Sequence, residues 1–353
     1  MNTSMYTTTQ KPMHKSIHKQ HGLTLVEIMV ALTISLVLLA GVLQIFISNQ
    51  QTYRVQEAAA RVQESGRFAI NFMAKDIRMA GFFGCGSLIN NPNNIADVSP
   101  TDGVADSAAN FTGNGLQGWE EADLPTAMTD AQNLAVGTSA TTVVSGTDVI
   151  SINRGSDTGV RLTGNMTTVN ANVQMSTATA GGLFQADDIL FISDCENADV
   201  FAANNVSGGS GTTTIAHSNA VNIGNNLSTT YGVDAEVMTF INSYYYIGTN
   251  AAGNEALYRY SMGNAGVMTA QELVEGVQDM EILYGEDTDA DRTANLYVDA
   301  DAVTDMTQVV SVRISMVVRS LEDNITTAVI APFNDRRLRR TFTTTITIRN
   351  RVV

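Results

Sequence analysis

The sequence predicts an α+β protein: one long N-terminal helix, its first half transmembrane, packed on an antiparallel β-sheet head with long loops. Three observations lead there. An unbroken helical signal fills the first quarter of the chain. Period-two alternation of apolar and polar residues marks the C-terminal third. Long stretches rich in Asn, Thr, Ser, Gly and Ala separate the strand-like runs.

Residues 1–22 are polar, contain no acid, and carry Lys11, Lys15 and Lys19 with His14, His18 and His21. A mostly apolar run follows from Leu23 to Ile47, with Glu27 as its only charge. Roughly 20 apolar residues span a bilayer as a helix. Positive residues on the N-terminal side put that end in the cytoplasm and the rest of the chain outside. A secretory signal would have a shorter apolar core and a nearby small-residue cleavage site. Here the nearest Ala-x-Ala is Ala58-Ala59-Ala60, far downstream in a helical stretch. A plain signal anchor leaves Glu27 unexplained, because a carboxylate in a membrane span is costly unless paired.

Helical character continues beyond the apolar run. Val55, Ala59, Val62, Gly66, Ala69, Met73, Ile77 and Ala80 recur at three- and four-residue steps and form one stripe. Glu57 and Arg61 stand four apart, the favourable orientation for an exposed helical pair. Gly81 and Gly84 end the pattern. A helix from Leu23 to about Met79 would be about 85 Å long at 1.5 Å per residue.

The strands follow. Val310, Val312, Ile314, Met316 and Val318 alternate with Ser311, Arg313 and Ser315. Phe342, Thr344, Ile346 and Ile348 repeat the pattern against Thr343, Thr345, Thr347 and Arg349. Val237–Ile247 and Ala256–Met262 flank a Gly- and Asn-rich loop as a hairpin. Shorter candidates are 148–153, 188–193 and 277–284. Residues 90–145 and 202–232 read as surface loops or weak-strand insertions.

Composition excludes several functions. Twenty Lys and Arg stand against 35 Asp and Glu in 353 residues, a net charge of −15. Nucleic-acid affinity is built from Lys and Arg, so no nucleic-acid partner is expected. Three of the four histidines precede residue 22, leaving His217, which reads as an ordinary surface residue. Histidine triads and multi-histidine metal sites are thereby nearly excluded, and the expectation is no enzyme. Arg336, Arg337, Arg339 and Arg340 form a basic cluster best matched to acidic loops of this chain or a neighbour. Cys85 and Cys195 are the only cysteines. They are either two buried thiols or one bridge. Placement outside the cytoplasm favours the bridge, which closes a loop of about 110 residues, worth roughly 4–5 kcal/mol in the chain-entropy model.

Gly22-Leu23-Thr24-Leu25-Val26-Glu27 behind a short basic leader resembles the processing motif of type IV pilins and type II secretion pseudopilins. The resemblance implies cleavage by a prepilin peptidase between Gly22 and Leu23 and N-methylation of Leu23, where the family usually has phenylalanine. It also implies that Glu27 pairs with the N-terminal amine of a neighbouring subunit. In lipid such a pair eases the desolvation of both charges.

Met73 to Cys85 and the stretch Leu283 to Val298 are similar to PilW-like minor pilins. In the second stretch, Asp287, Asp289 and Asp291 have the one-three-five spacing of a calcium loop, but Arg292 and Val298 break the EF-hand pattern. Two readings stay open: a looser calcium site completed by Asn295, or a solvated acidic turn. The family has glycine and aspartate where Arg292 and Asn295 stand.

The domains implied are a cleaved leader (1–22), a pilin helix (23–84) and an extracytoplasmic head (85–353). The expected protein is a minor pilin that primes type IV pilus assembly in the inner membrane and ends at the pilus tip. Its implied partners are other minor pilins, the major pilin, a tip adhesin, the prepilin peptidase and the inner-membrane assembly platform. A J-type pseudopilin of a secretion system is the alternative, and a membrane-anchored extracytoplasmic enzyme the remote one.

Overall fold

The computed structural model describes residues 22–84, 92–96, 111, 113–120, 134, 136–140, 142–263 and 268–352. The chain divides into two units, Met1–Arg54 and Val55–Val353, and helix α1 (Leu25–Arg78) contributes to both. In the first unit every large apolar side chain from Leu25 to Ile47 is exposed. By length and composition this helix can cross a membrane.

In the second unit α1 is amphipathic. It buries Ala58, Val62, Gly66, Ala69, Met73, Ala74, Asp76 and Ile77. The buried stripe starts at Ala58, three residues after Val55, where the spacing begins it: Val55 and Ala59 are only half-buried.

The strands are β1 (Asn93–Asn94), β2 (Leu116–Trp119), β3 (Val149–Gly155), β4 (Val160–Arg161), β5 (Val173–Ser176), β6 (Ile189–Ser193), β7 (Ala198–Ala202), β8 (Asn205–Gly209) and β9 (Thr212–Ala216). After them come β10 (Glu236–Thr249), β11 (Glu255–Met262), β12 (Met268–Glu275), β13 (Val277–Glu286), β14 (Leu296–Val298), β15 (Val309–Arg319) and β16 (Arg339–Thr347). A nine-stranded sheet runs β1-β7-β6-β10-β11-β12, with β2, β3 and β4 joined beside it. Its spine is β10, which pairs β6 through Glu236–Thr239 and β11 through Ser243–Thr249. A four-stranded antiparallel sheet has the order β14-β13-β15-β16, and a small one β5-β9-β8. The β8–β9 hairpin lies in the stretch that reads as a weak-strand insertion. The expected α+β class holds.

The β10–β11 turn is closed by Asn250, whose Oδ1 accepts from the Ala252 and Asn254 amides at 3.0 Å each. Gly253 at φ 78° supplies the left-handed residue that such a turn needs. On β15 the alternation is realised as predicted: Val312, Ile314, Met316 and Val318 are buried in the main core. That core joins α1 to both large sheets, through Ile150, Ile152 and Tyr245 of one and Met280, Ile314 and Ile346 of the other. Burying each such aliphatic side chain stabilises by roughly 1.5–3 kcal/mol.

One correction concerns a polar residue. His217 is buried, 3% exposed, with Nε2 2.9 Å from the Ala171 carbonyl and its ring edge-on to Phe201. An aromatic neighbour and one carbonyl make the imidazole a core residue. Asp76, on the face of α1 that packs into the core, is also buried.

Candidate assembly surfaces

The start of α1 is built by Thr24. Its hydroxyl accepts from the Glu27 amide at 3.2 Å, and Glu27 Oε2 accepts from the Thr24 amide and hydroxyl at 3.1 Å each. This is a reciprocal capping box, Thr-x-x-Glu, which satisfies amides that the first helical turn leaves free. The carboxylate also lies at the positive end of the helix dipole. Gly22 and Leu23 precede the helix and are exposed. The capping box is legible in the sequence as T-x-x-E, although the apolar run around it draws attention first.

The acidic loop between β13 and β14 folds on itself. Asp287 accepts from the Asp291 amide at 3.2 Å and the Arg292 amide at 2.7 Å. Asp291 Oδ1 accepts from the Thr293 amide at 2.8 Å. Asn295 Oδ1 accepts from the Thr288 amide at 2.8 Å. Oxygens of Asp287, Asp289 and Asp291 lie within 4.8 Å of one another, a spacing a small cation can bridge. Arg292 takes the left-handed conformation, φ 68°, at the position where a calcium loop ordinarily has glycine. The backbone path therefore survives the substitution. Desolvation raises the Asp287 carboxyl, but the amides of Arg292 and Asp291 outweigh it and hold the group below its usual range.

Cys195 sits at φ 77° in the turn after β6, its amide 3.3 Å from Ser193 Oγ. Cys85 lies outside the described residues. The arginine cluster is anchored within its own loop: Asp335 takes Arg339 in a two-point pair at 2.6 and 2.7 Å, with Arg337 at 3.8 Å. Hydrogen bonding to Arg339 is the main cause that brings the Asp335 carboxyl down to about 2.

Residues 244–350, from the middle of β10 through β16, match the family described as Type IV Pilus-assembly protein W. Residues 17–43 match the prokaryotic N-terminal methylation motif. The chain is a PilW-like type IV pilin. No curated protein and no solved structure matches it. The acidic loop, the arginine cluster and both strands of the C-terminal hairpin of this pilin fall inside the PilW match. Glu27 and the start of the apolar helix fall inside the methylation match. As a type IV pilin it is associated with the pilus and acts with other pilus components.

One feature of the pilin is absent from the motif reading. Asp76, beside the apolar stripe, receives the Tyr245 hydroxyl at 2.6 Å and Arg154 Nη2 at 3.2 Å. Its signal in the sequence is a carboxylate in step with the stripe: 62, 66, 69, 73, 76 and 80 keep the four-three rhythm of one helical face.

Proposed function

We propose that this pilin is a minor pilin that primes pilus assembly in the inner membrane and resides at the pilus tip beside other minor pilins and a tip adhesin. It is made as a precursor with a cytoplasmic leader. A prepilin peptidase cuts between Gly22 and Leu23, Leu23 is N-methylated, and the β-rich unit faces the periplasm. The leader holds three lysines and no acid, so cleavage makes the chain more acidic still. Its action is non-catalytic. The helix docks among the helices of the major pilin on the assembly platform, Glu27 pairs with a neighbour's amine, and the head presents interfaces. The observation that carries this reading is the presence in one chain of the methylation motif over 17–43 and the PilW match over 244–350.

Two additions belong to the same proposal. A Cys85–Cys195 bridge ties the segment after α1 to the nine-stranded sheet. In its support, no described cysteine is free, and a Cβ built on Gly84 falls 3.4 Å from Ser193 Cβ, which brings the two flanking segments together. The acidic loop takes calcium through Asp287, Asp289, Asp291 and Asn295, hard oxygen donors suited to that ion.

Mass spectrometry of the N-terminus tests the precursor step: the expected form begins at N-methylated Leu23, and a chain with Gly22 still joined to Leu23 in a peptidase-competent cell overturns it. Deletion of the gene tests the assembly role. Loss of surface fibres and twitching is expected, whereas loss of protein secretion with intact pili identifies a J-type pseudopilin instead. Thiol alkylation with and without reductant counts the free cysteines directly.

A further inference from the structure

A groove of about 600 Å³ lies where the last turns of α1 meet β16 and the turn after it. Ile70, Met79, Phe82 and Ile346 give it an apolar lining, and Lys75, Arg78, Arg349 and Asp157 give it a charged one. Its charge balance is unusual for so acidic a chain. Asp157 is already shared, 3.0 Å from Arg154 and 3.8 Å from Lys75. Among the described residues neither Arg78 nor Arg349 has a carboxylate partner, and both are exposed. A second groove on α1, lined by Ala58, Phe68 and Leu273, has its arginines neutralised from within: Arg61 by Glu57 and Glu322, Arg319 by Glu255.

Cations in the last turn of a helix complement its dipole, which accounts for Lys75 and Arg78. It does not account for Arg349, which comes from a separate element. That element is fixed in place. Asn350 Nδ2 donates to the Met79 and Ala80 carbonyls at 3.4 and 3.3 Å, and Arg351 donates to the Met306 and Val309 carbonyls at 2.5 and 2.7 Å. Three cations are thus held around one apolar groove with a single, shared carboxylate.

We propose that this groove is a docking surface for an acidic segment of another pilus subunit. Carboxylates of that segment pair with Lys75, Arg78 and Arg349, and one apolar side chain fills the lining between them. The inference rests on the pilin reading above. Charge complementarity selects the partner: the net charge of −15 repels a nucleic-acid backbone at long range, while a short acidic peptide meets only the local cations.

The test is a photo-crosslinking residue placed at Thr344, on the groove wall, in the full chain in piliated cells, followed by sequencing of the crosslinked peptide. The expected product is a peptide from another pilus subunit with Asp or Glu within a few residues of the link. A crosslink to lipid, to nucleic acid or to a peptide without acids, or no crosslink, overturns the proposal. In the same strain R78E with R349E should cut the crosslink yield at least tenfold, and R78K with R349K should retain it. Equal yields in the two double variants also overturn it. Melting of each purified chain in detergent identifies any variant that fails to fold; the lysine pair and the wild type still decide the outcome. Pili in the deletion strain report on the pilin reading separately, so failure of one is distinguishable from failure of the other.

Discussion

Tyr245 donates its hydroxyl to Asp76 Oδ2 at 2.6 Å, joining the helix to the spine strand of the large sheet. The second oxygen of Asp76 accepts from Arg154 on β3, which also reaches Asp157 at 3.0 Å. Tyr245 and Asp76 are almost fully buried, as is Arg154 at 6% exposure. A hydrophobic stripe holds the helix on the sheets without specifying how it is rotated or how far it slides. This three-membered contact sets both.

Removing one member should therefore cost more than the bond itself. Asp76→Ala leaves Arg154 buried with Asp157 as its one remaining carboxylate partner among the described residues, and breaking a buried pair in this way destabilises by about 3–5 kcal/mol. Tyr245→Phe removes one charged hydrogen bond and should cost about 1.5–3 kcal/mol. Denaturant unfolding of the full chain in detergent measures both. A loss below about 1 kcal/mol for Asp76→Ala would show that the contact is incidental.

Gly66 allows a close helix–sheet approach. A Cβ there falls 2.4 Å from the Phe342 ring on β16, so alanine forces the ring or the helix to move. Gly66→Ala should destabilise by about 1–3 kcal/mol through overpacking, despite the better helix propensity of alanine. Adding Phe342→Leu should recover part of the loss. Strictly additive losses in the double variant would contradict a direct clash.

The head carries a pH dependence in Asp148. Burial is the largest cause that pushes this carboxyl up to about 8. The Ile282 amide, donating to Oδ2 at 2.6 Å, opposes the rise, and hydrogen bonding and repulsion from Glu120 add to it, with Glu281 contributing further. Among the described residues the Tyr284 hydroxyl, beside these acids, has no hydrogen-bond partner. In the unfolded chain an aspartate loses its proton near pH 4. Between about 4 and 8 the folded state thus holds the extra proton, so this contribution is full at low pH and is lost as pH rises through 8. The melting temperature should fall between pH 6 and pH 9. Asp148→Asn should flatten that fall and raise stability at pH 9; an unchanged profile would rule the group out.

Much of this architecture is legible in the sequence because it rests on periodicity. The four-three spacing after Val62 and the alternation from Val310 to Val318 each place a face, and the structure buries those faces. Single polar residues are less legible. His217 and Asp76 are buried because of partners 46 and 169 positions away, Ala171 and Tyr245, which no local pattern announces. The Thr24–Glu27 box is local and readable, whereas the basic groove needs residues 75, 78 and 349 brought together by folding.

Calcium binding at the acidic loop predicts a rise in the melting temperature of the full chain at millimolar calcium, with a smaller effect from magnesium, which sheds its waters reluctantly. Asp289 is exposed. Asp289→Asn should therefore abolish the calcium shift and leave the calcium-free melting temperature nearly unchanged. No shift in the wild type at millimolar calcium removes the site.

Glu27 has two separable roles, and one substitution distinguishes them. Within the chain it closes the capping box with Thr24, and glutamine can make the same hydrogen bonds. Between chains the proposed pairing with a neighbour's amine requires the negative charge, since two ions desolvate together in lipid far more readily than one alone. Glu27→Gln should therefore leave helix content, membrane insertion and processing at Gly22–Leu23 close to wild type while sharply reducing incorporation into pili. Thr24→Ala should do the reverse, weakening the cap by about 1 kcal/mol and sparing incorporation. Quantifying the protein in sheared pilus fractions against membrane fractions reads both. If Glu27→Gln assembles as well as the wild type, the carboxylate serves the helix end alone, and the charge-pairing half of the proposal falls while the processing half stands.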